Sequence, residues 1–121
     1  LKAQEAKDRR SHGRILYNLA LLNSLLDRIP EATTFMEKAV AWYVEYPIVY
    51  YEAERTVLQY QGSRYLAGAH RKLDNLEKAQ YYADNASKIM GRDPQKLAAY
   101  LADPHINFLK WKDFRKEHGF D

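Results

Sequence analysis

The chain has 121 residues, 46% hydrophobic and 29% charged, with a formal charge of +3 and no cysteine. That length supports one domain with a real core and not two comfortable ones. The missing cysteines exclude a disulfide framework, a thiolate nucleophile and Cys-ligated zinc or iron–sulfur chemistry, while leaving the redox compartment open.

No apolar run approaches the roughly 18–20 residues that cross a bilayer, and no signal-peptide pattern opens the chain. The first residue is Leu1 rather than Met, which reads as a processed chain or an excerpt. Basic residues gather towards the two ends, Lys7, Arg9, Arg10 and Arg14 early and Lys110, Lys112, Arg115 and Lys116 late. Acidic residues interleave with both groups. The basic groups read first as solvated helix faces, and second as a weak electrostatic footprint for nucleic acid or an acidic partner.

The predicted elements are all helical. Four prolines and five glycines punctuate segments rich in good helix formers. The first helix is expected over about 3–28, bent near Gly13, and the second over 31–46. The aromatic run "AWYVEYPIVYY" (41–51) tempts a strand assignment, but Pro47 in its middle argues for a helix end, a corner and a helix start. A third helix is expected over 48–72 with a break near Gly62, and a fourth over 75–90, capped by Asp74 and stopped by Gly91 in a left-handed conformation. Pro94 opens a fifth at its first turn, 94–102. Asp103-Pro104 ends it, and a sixth is expected over 106–117. Between residues 15 and 26 the first helix is apolar all round, the mark of a helix covered on more than one side.

Laid over one another at an offset of 47, residues 16–47 and 63–94 agree at Leu19/Leu66, Ala20/Ala67, Leu26/Leu73, Asp27/Asp74, Ala32/Ala79, Ala39/Ala86 and Pro47/Pro94 without a gap. Ile29/Leu76 and Phe35/Tyr82 are similar in kind. The unit is helix, tight turn at the aspartate, helix, proline. Paired alanines on both sides of the turn let two antiparallel helices approach closely.

"KLDNLEKAQYYADNASKI" and "LLDRIPEATTFMEKAV" resemble the turn and second helix of the tetratricopeptide repeat family. The likeness covers about half the chain. Asn23 and His70 stand where the family has an aromatic, Ser63 replaces a large residue, the terminal proline comes late, and the 47-residue spacing exceeds the usual one of about 34. The resemblance implies a single all-α domain (1–121). Its antiparallel hairpins would form a two-repeat superhelix with units 13–47 and 60–94 and a C-terminal cap over 95–121. Two such repeats expose two ends that need covering.

The resemblance also implies a binding scaffold whose first-helix face takes a peptide or partner helix. The groove positions it marks are Arg14, Tyr17, Asn18 and Leu21 in the first unit and Arg64, Tyr65, Gly68 and Arg71 in the second. Packing is the competing role for both tyrosines. A carboxylate clamp is not expected, because Tyr65 stands where its second Asn belongs. In "HINFLKWKDF" the apolar residues spread around the helix axis, so Phe108 and Trp111 are candidate partner anchors beside a capping role.

No catalytic arrangement stands out. The four histidines are scattered, Glu52 and Glu54 point apart on a helix, and there is no phosphate-binding glycine loop or EF-hand. The expectation is a non-enzymatic adaptor or scaffold that needs no metal or cofactor. The alternatives are a structural subunit of a large protein or ribonucleoprotein assembly, and an accessory domain of an enzyme.

Overall fold

The computed structural model describes residues 3–103 of the chain, and within them the fold is all-α. Helix α1 (Ala3–Leu25) turns back into α2 (Ile29–Glu45). A short 3-10 helix (Pro47–Val49) rounds the corner. Then α3 (Glu52–Lys72) turns back into α4 (Leu76–Arg92), and α5 (Pro94–Ala102) follows. Helix α1 packs on α2, α2 on α3, and α3 on α4, while α5 lies against α3 and α4. The chain therefore forms two antiparallel hairpins stacked through α2 and α3. The sixth predicted helix lies outside the described residues.

The two turns match at the 47-residue offset. Asp27 and Asp74 are the only described non-glycine residues at positive φ, 58° and 59°. In the first turn the Asp27 amide donates to Ser24 (3.0 Å) and the Arg28 amide to Asn23 (2.8 Å). In the second the Asp74 amide donates to Arg71 (3.1 Å) and the Asn75 amide to His70 (2.8 Å). Each is a Schellman motif, in which a left-handed residue lets two later amides satisfy the last helical carbonyls. Asp74 therefore ends α3 rather than capping α4. The cap is Asn75, whose Oδ1 accepts from the Lys78 amide at 3.4 Å. Helix α5 is capped by Asp93, which accepts from the Lys96 amide at 3.0 Å, with Pro94 in the first turn as expected.

Three expectations about glycine are corrected. Gly13 and Gly62 lie inside unbroken helices, and Gly91 lies within α4. A Cβ on Gly13 would overlap Tyr50 Oη and sit 2.8 Å from the Trp42 ring. One on Gly62 would sit 2.6 Å from Val40 Cγ2. These glycines let neighbours close in on the helix, and hydrogen bonds on either side carry the helix through them.

The main core sits between the hairpins. It gathers Leu16, Tyr17, Ala20 and Leu21 of α1, Met36, Ala39, Val40 and Tyr43 of α2, and Leu58 and Leu66 of α3, all buried. A smaller cluster, Tyr60, Ala86, Ile89 and Leu97, holds α5. The paired alanines behave as their spacing predicts: Ala20, Ala32, Ala39, Ala67, Ala79 and Ala86 are all buried.

The all-round apolar reading of α1 is half fulfilled. One side is core, but Ile15, Leu22 and Leu26 on the opposite side are 55%, 46% and 59% exposed. No described helix is long and apolar enough to cross a membrane.

Candidate functional site

The groove positions marked in the two units have separate fates. In α1, Tyr17 and Leu21 are buried in the main core, and burial pushes the Tyr17 phenol well above its ordinary value. They are covered by the second hairpin and cannot line an open groove. Asn18 is exposed.

Arg14 is committed inside the fold. Its Nε donates to Glu54 Oε2 at 3.0 Å and its Nη2 to Oε1 at 2.5 Å, a bidentate pair. Tyr43 donates its hydroxyl to the same carboxylate at 2.9 Å and stacks on Tyr50 at 3.8 Å between centroids. The hydrogen bond to Glu54 is the main reason the Arg14 pKa is raised, against a smaller opposing effect of burial. Glu52, two residues before Glu54, instead points outward and meets Lys96 at 3.1 Å, so the two carboxylates do diverge.

In α3 the picture reverses. Arg64, Gly68 and Arg71 line an open hollow of about 330 Å³ between α3 and α4, floored by Tyr60, Ala67, Ala83 and Ala86 and edged by Ser87 and Met90. Arg64 lies over the Tyr60 ring, its guanidinium carbon 5.6 Å from the centroid, a cation–π contact that holds the charge above the hollow. A second hollow of about 230 Å³ opens on the other side of the Arg64–Gly68 row, lined by Ser24, Ile29, Tyr65 and Lys72. Tyr65 is half-buried, with its hydroxyl close to Ser24. The charged residues lining both hollows, Arg64, Arg71 and Lys72, are all cationic. Phe108 and Trp111 lie outside the described residues.

The composition of the first hollow follows from the offset. Its lining residues Arg64, Gly68, Ala83, Ser87 and Met90 are the counterparts of Tyr17, Leu21, Met36, Val40 and Tyr43. On the first hairpin those residues are the buried surface that receives α3. The hollow is thus the place on the second hairpin that the next helix would fill, with four of the five side chains shortened and one made basic. A helix scan of the sequence alone does not show this, but the offset comparison carries the signal: large apolar residues change to small or charged ones at one set of positions.

His70 is a packing residue. The side chain is buried, stacked on Tyr82 with ring planes 3° apart, and its Nε2 lies 3.6 Å from Glu37 Oε1. Among the described residues neither ring nitrogen has a hydrogen-bond partner. Glu37 also accepts from the Tyr82 hydroxyl at 3.4 Å and faces Lys78 at 3.7 Å. This cluster ties α2, α3 and α4 together.

Comparison with family models, curated proteins and solved structures finds no match to this chain.

Proposed function

We propose that the chain is a non-enzymatic protein-interaction scaffold of tetratricopeptide-like construction, binding a helix or peptide in the groove between α3 and α4. One observation carries the reading. The second hairpin holds open, in about 330 Å³, the site at which the first hairpin seats a helix. Its floor of Ala67, Gly68, Ala83 and Ala86 admits close backbone approach, and Arg64 and Arg71 favour a segment that carries carboxylates. Of the residues marked in unit two, Arg64, Gly68 and Arg71 line this hollow and Tyr65 lines the neighbouring one, while in unit one Tyr17 and Leu21 are core and Asn18 is exposed.

The test is selection of amphipathic helices from a displayed library against the full chain. Binders enriched in Asp and Glu, weakened roughly tenfold or more by Arg64→Glu and weakened by salt, support the reading. Binders indifferent to Arg64→Glu and Ser87→Lys overturn it. The second reading, a structural subunit of a larger assembly, draws on the exposed Ile15, Leu22 and Leu26 stripe, which gives the chain an apolar face to bury elsewhere.

A further inference from the structure

Among the described residues the groove and the outer face of α1 are both uncovered, and the 47-residue offset relates both to the same internal interface. Within the chain, α3 presents Gly62, Leu66 and Ala69 to the rest of the fold, all buried. Their counterparts on α1 are Ile15, Leu19 and Leu22, and these lie on the side of α1 facing away from the main core, with Ile15 and Leu22 exposed and Leu19 partly so. The outer face of α1 therefore corresponds to the face that α3 inserts. The groove on the second hairpin corresponds to the face that receives it.

We infer that the groove of one chain takes the outer face of α1 from a second copy, head to tail, repeating the packing of α3 on the first hairpin. The inference rests on the reading of the groove as a helix-docking site and names its occupant.

Side-chain size supports the match. Inside the chain, Gly62 is small because Val40 and Met36 press on it; a Cβ there would meet Val40 Cγ2 at 2.6 Å and Met36 Sδ at 3.3 Å. Between copies, Ile15 takes the place of Gly62, and Ser87 and Ala83 take the places of Val40 and Met36. The bulk moves from the groove to the incoming helix, so the summed volume is kept while its location is exchanged. Leu22 takes the place of Ala69, which lies beside Ser24 and Ile29, and on the groove those two are replaced by Arg71 and Leu76.

Polar contacts are not carried over. The Arg14–Glu54–Tyr43 cluster maps to Gln61, Lys7 and Met90, and the Lys78–Glu37 pair maps to Glu31 and Asp84, two like charges. Self-docking is accordingly weaker than the packing of hairpins within a chain. Because the two faces differ, each copy keeps one free head and one free tail, and the contact propagates rather than closing into a two-fold dimer.

The experiment is sedimentation equilibrium on the full chain from low micromolar to millimolar concentration, with Leu22→Lys blocking the head and Ser87→Lys blocking the tail. Both positions are exposed, so a thermal melt should show each variant folded. The expected result has four parts. Wild type grows past two copies as concentration rises. Each variant alone stays monomeric. An equimolar mixture of the two, which retains one good head and one good tail, stops at a 1:1 dimer. And because the chain has no cysteine, Ile15→Cys mixed with Ser87→Cys cross-links into a dimer under oxidation.

A wild-type monomer throughout overturns the inference. So does a dimer that neither variant disturbs. If library helices still bind the groove while the copies ignore one another, self-docking alone is lost. If neither binds, the groove reading falls with it.

Discussion

Tyr17 and Arg64 hold the same place in two hairpins whose turns match to a degree in φ, yet the tyrosine is buried and the arginine is exposed. The same contrast runs through Leu21 and Gly68, Met36 and Ala83, and Val40 and Ser87. Backbone geometry is shared, because it depends on the turn residues and the paired alanines. Burial is not shared, because it depends on whether another helix arrives. The first hairpin spends this face on the core, and the second keeps it open. A helix pair can thus preserve its own fold while changing one stripe of side chains from structural to available.

The largest expected effect tests how far the first hairpin's core relies on neutral tyrosines. Burial raises the phenols of Tyr17 and Tyr43 well above their ordinary value, and that of Tyr50 to about 12; in the second hairpin Tyr82 is likewise raised to about 12. A folded-state pKa above the unfolded one, about 10, gives stability that is complete below that value and lost as pH rises through the folded one. Thermal melts should therefore be level in pH up to about 10 and fall steeply towards 12. Among the described residues Tyr65 of α3 is raised as well, and three of the five raised phenols belong to the first hairpin and the 3-10 corner packed on it, so that region should lose its structure first. Amide exchange protection lost earlier in α4 than in α1 would contradict this.

The next effect removes the ion pair by which Arg14 of α1 holds Glu54 of α3 across the two hairpins. Glu54→Ala leaves Arg14, which is 39% exposed at its side chain and can turn to water, and strands the buried Tyr43 hydroxyl. The loss should be about 2–4 kcal/mol, below the upper range for fully buried pairs because the arginine is partly solvated. Denaturant unfolding measures it. Gln61→Ala and Met90→Ala, at the counterparts of Arg14 and Tyr43, remove no ion pair among the described residues and should each cost less.

Gly13→Ala and Gly91→Ala sharpen the contrast between covered and open surface. At Gly13 the new methyl meets Tyr50, Trp42 and Tyr43, three rings that cannot all withdraw. Tyr50 is further fixed by donating its hydroxyl to the Arg9 and Arg10 carbonyls, 3.0 Å from each, and Trp42 donates to Arg9 at 2.8 Å. Overpacking of about 1–3 kcal/mol outweighs the gain of up to about 1 kcal/mol from alanine's helix propensity. At Gly91 no described residue lies within 4 Å of the new methyl, so the same substitution should stabilise by about 0.5–1 kcal/mol. Two melts of opposite sign are expected, and a destabilised Gly91→Ala would remove the contrast.

These glycines also mark what the sequence made legible. The all-α class, the two hairpins and the register between them could be read from Ala20/Ala67, Asp27/Asp74 and Ala32/Ala79, because small residues and turn residues are selected by local geometry. Gly13 and Gly62 read as breaks for the same local reason, whereas their purpose is the approach of Tyr50 and Val40, residues 37 and 22 positions away in the chain. The site was legible by halves. Arg64, Gly68 and Arg71 do line the groove, but Arg14, Tyr17 and Leu21 were assigned to one by analogy of position, and position along a helix says nothing of what packs on it. Glu54, buried and central, was passed over because its partner lies 40 residues earlier.

The smallest effect addresses what the hairpins share. Asp27 and Asp74 sit at φ 58° and 59°, where an L-residue is strained by about 1–2 kcal/mol and glycine is not. Neither is the residue whose side chain caps the following helix: Arg28 has no side-chain cap bond, and Asn75 supplies its own. Asp27→Gly and Asp74→Gly should each stabilise by about 0.5–1 kcal/mol, the relief of strain being partly offset by glycine's greater freedom in the unfolded chain. The gains should be equal within error, because the Schellman bonds are the same in length to about 0.1 Å. Unequal gains would mean that the two turns, alike in backbone, differ in what their aspartates do, and the likeness of the hairpins would then stop at the dihedral angles.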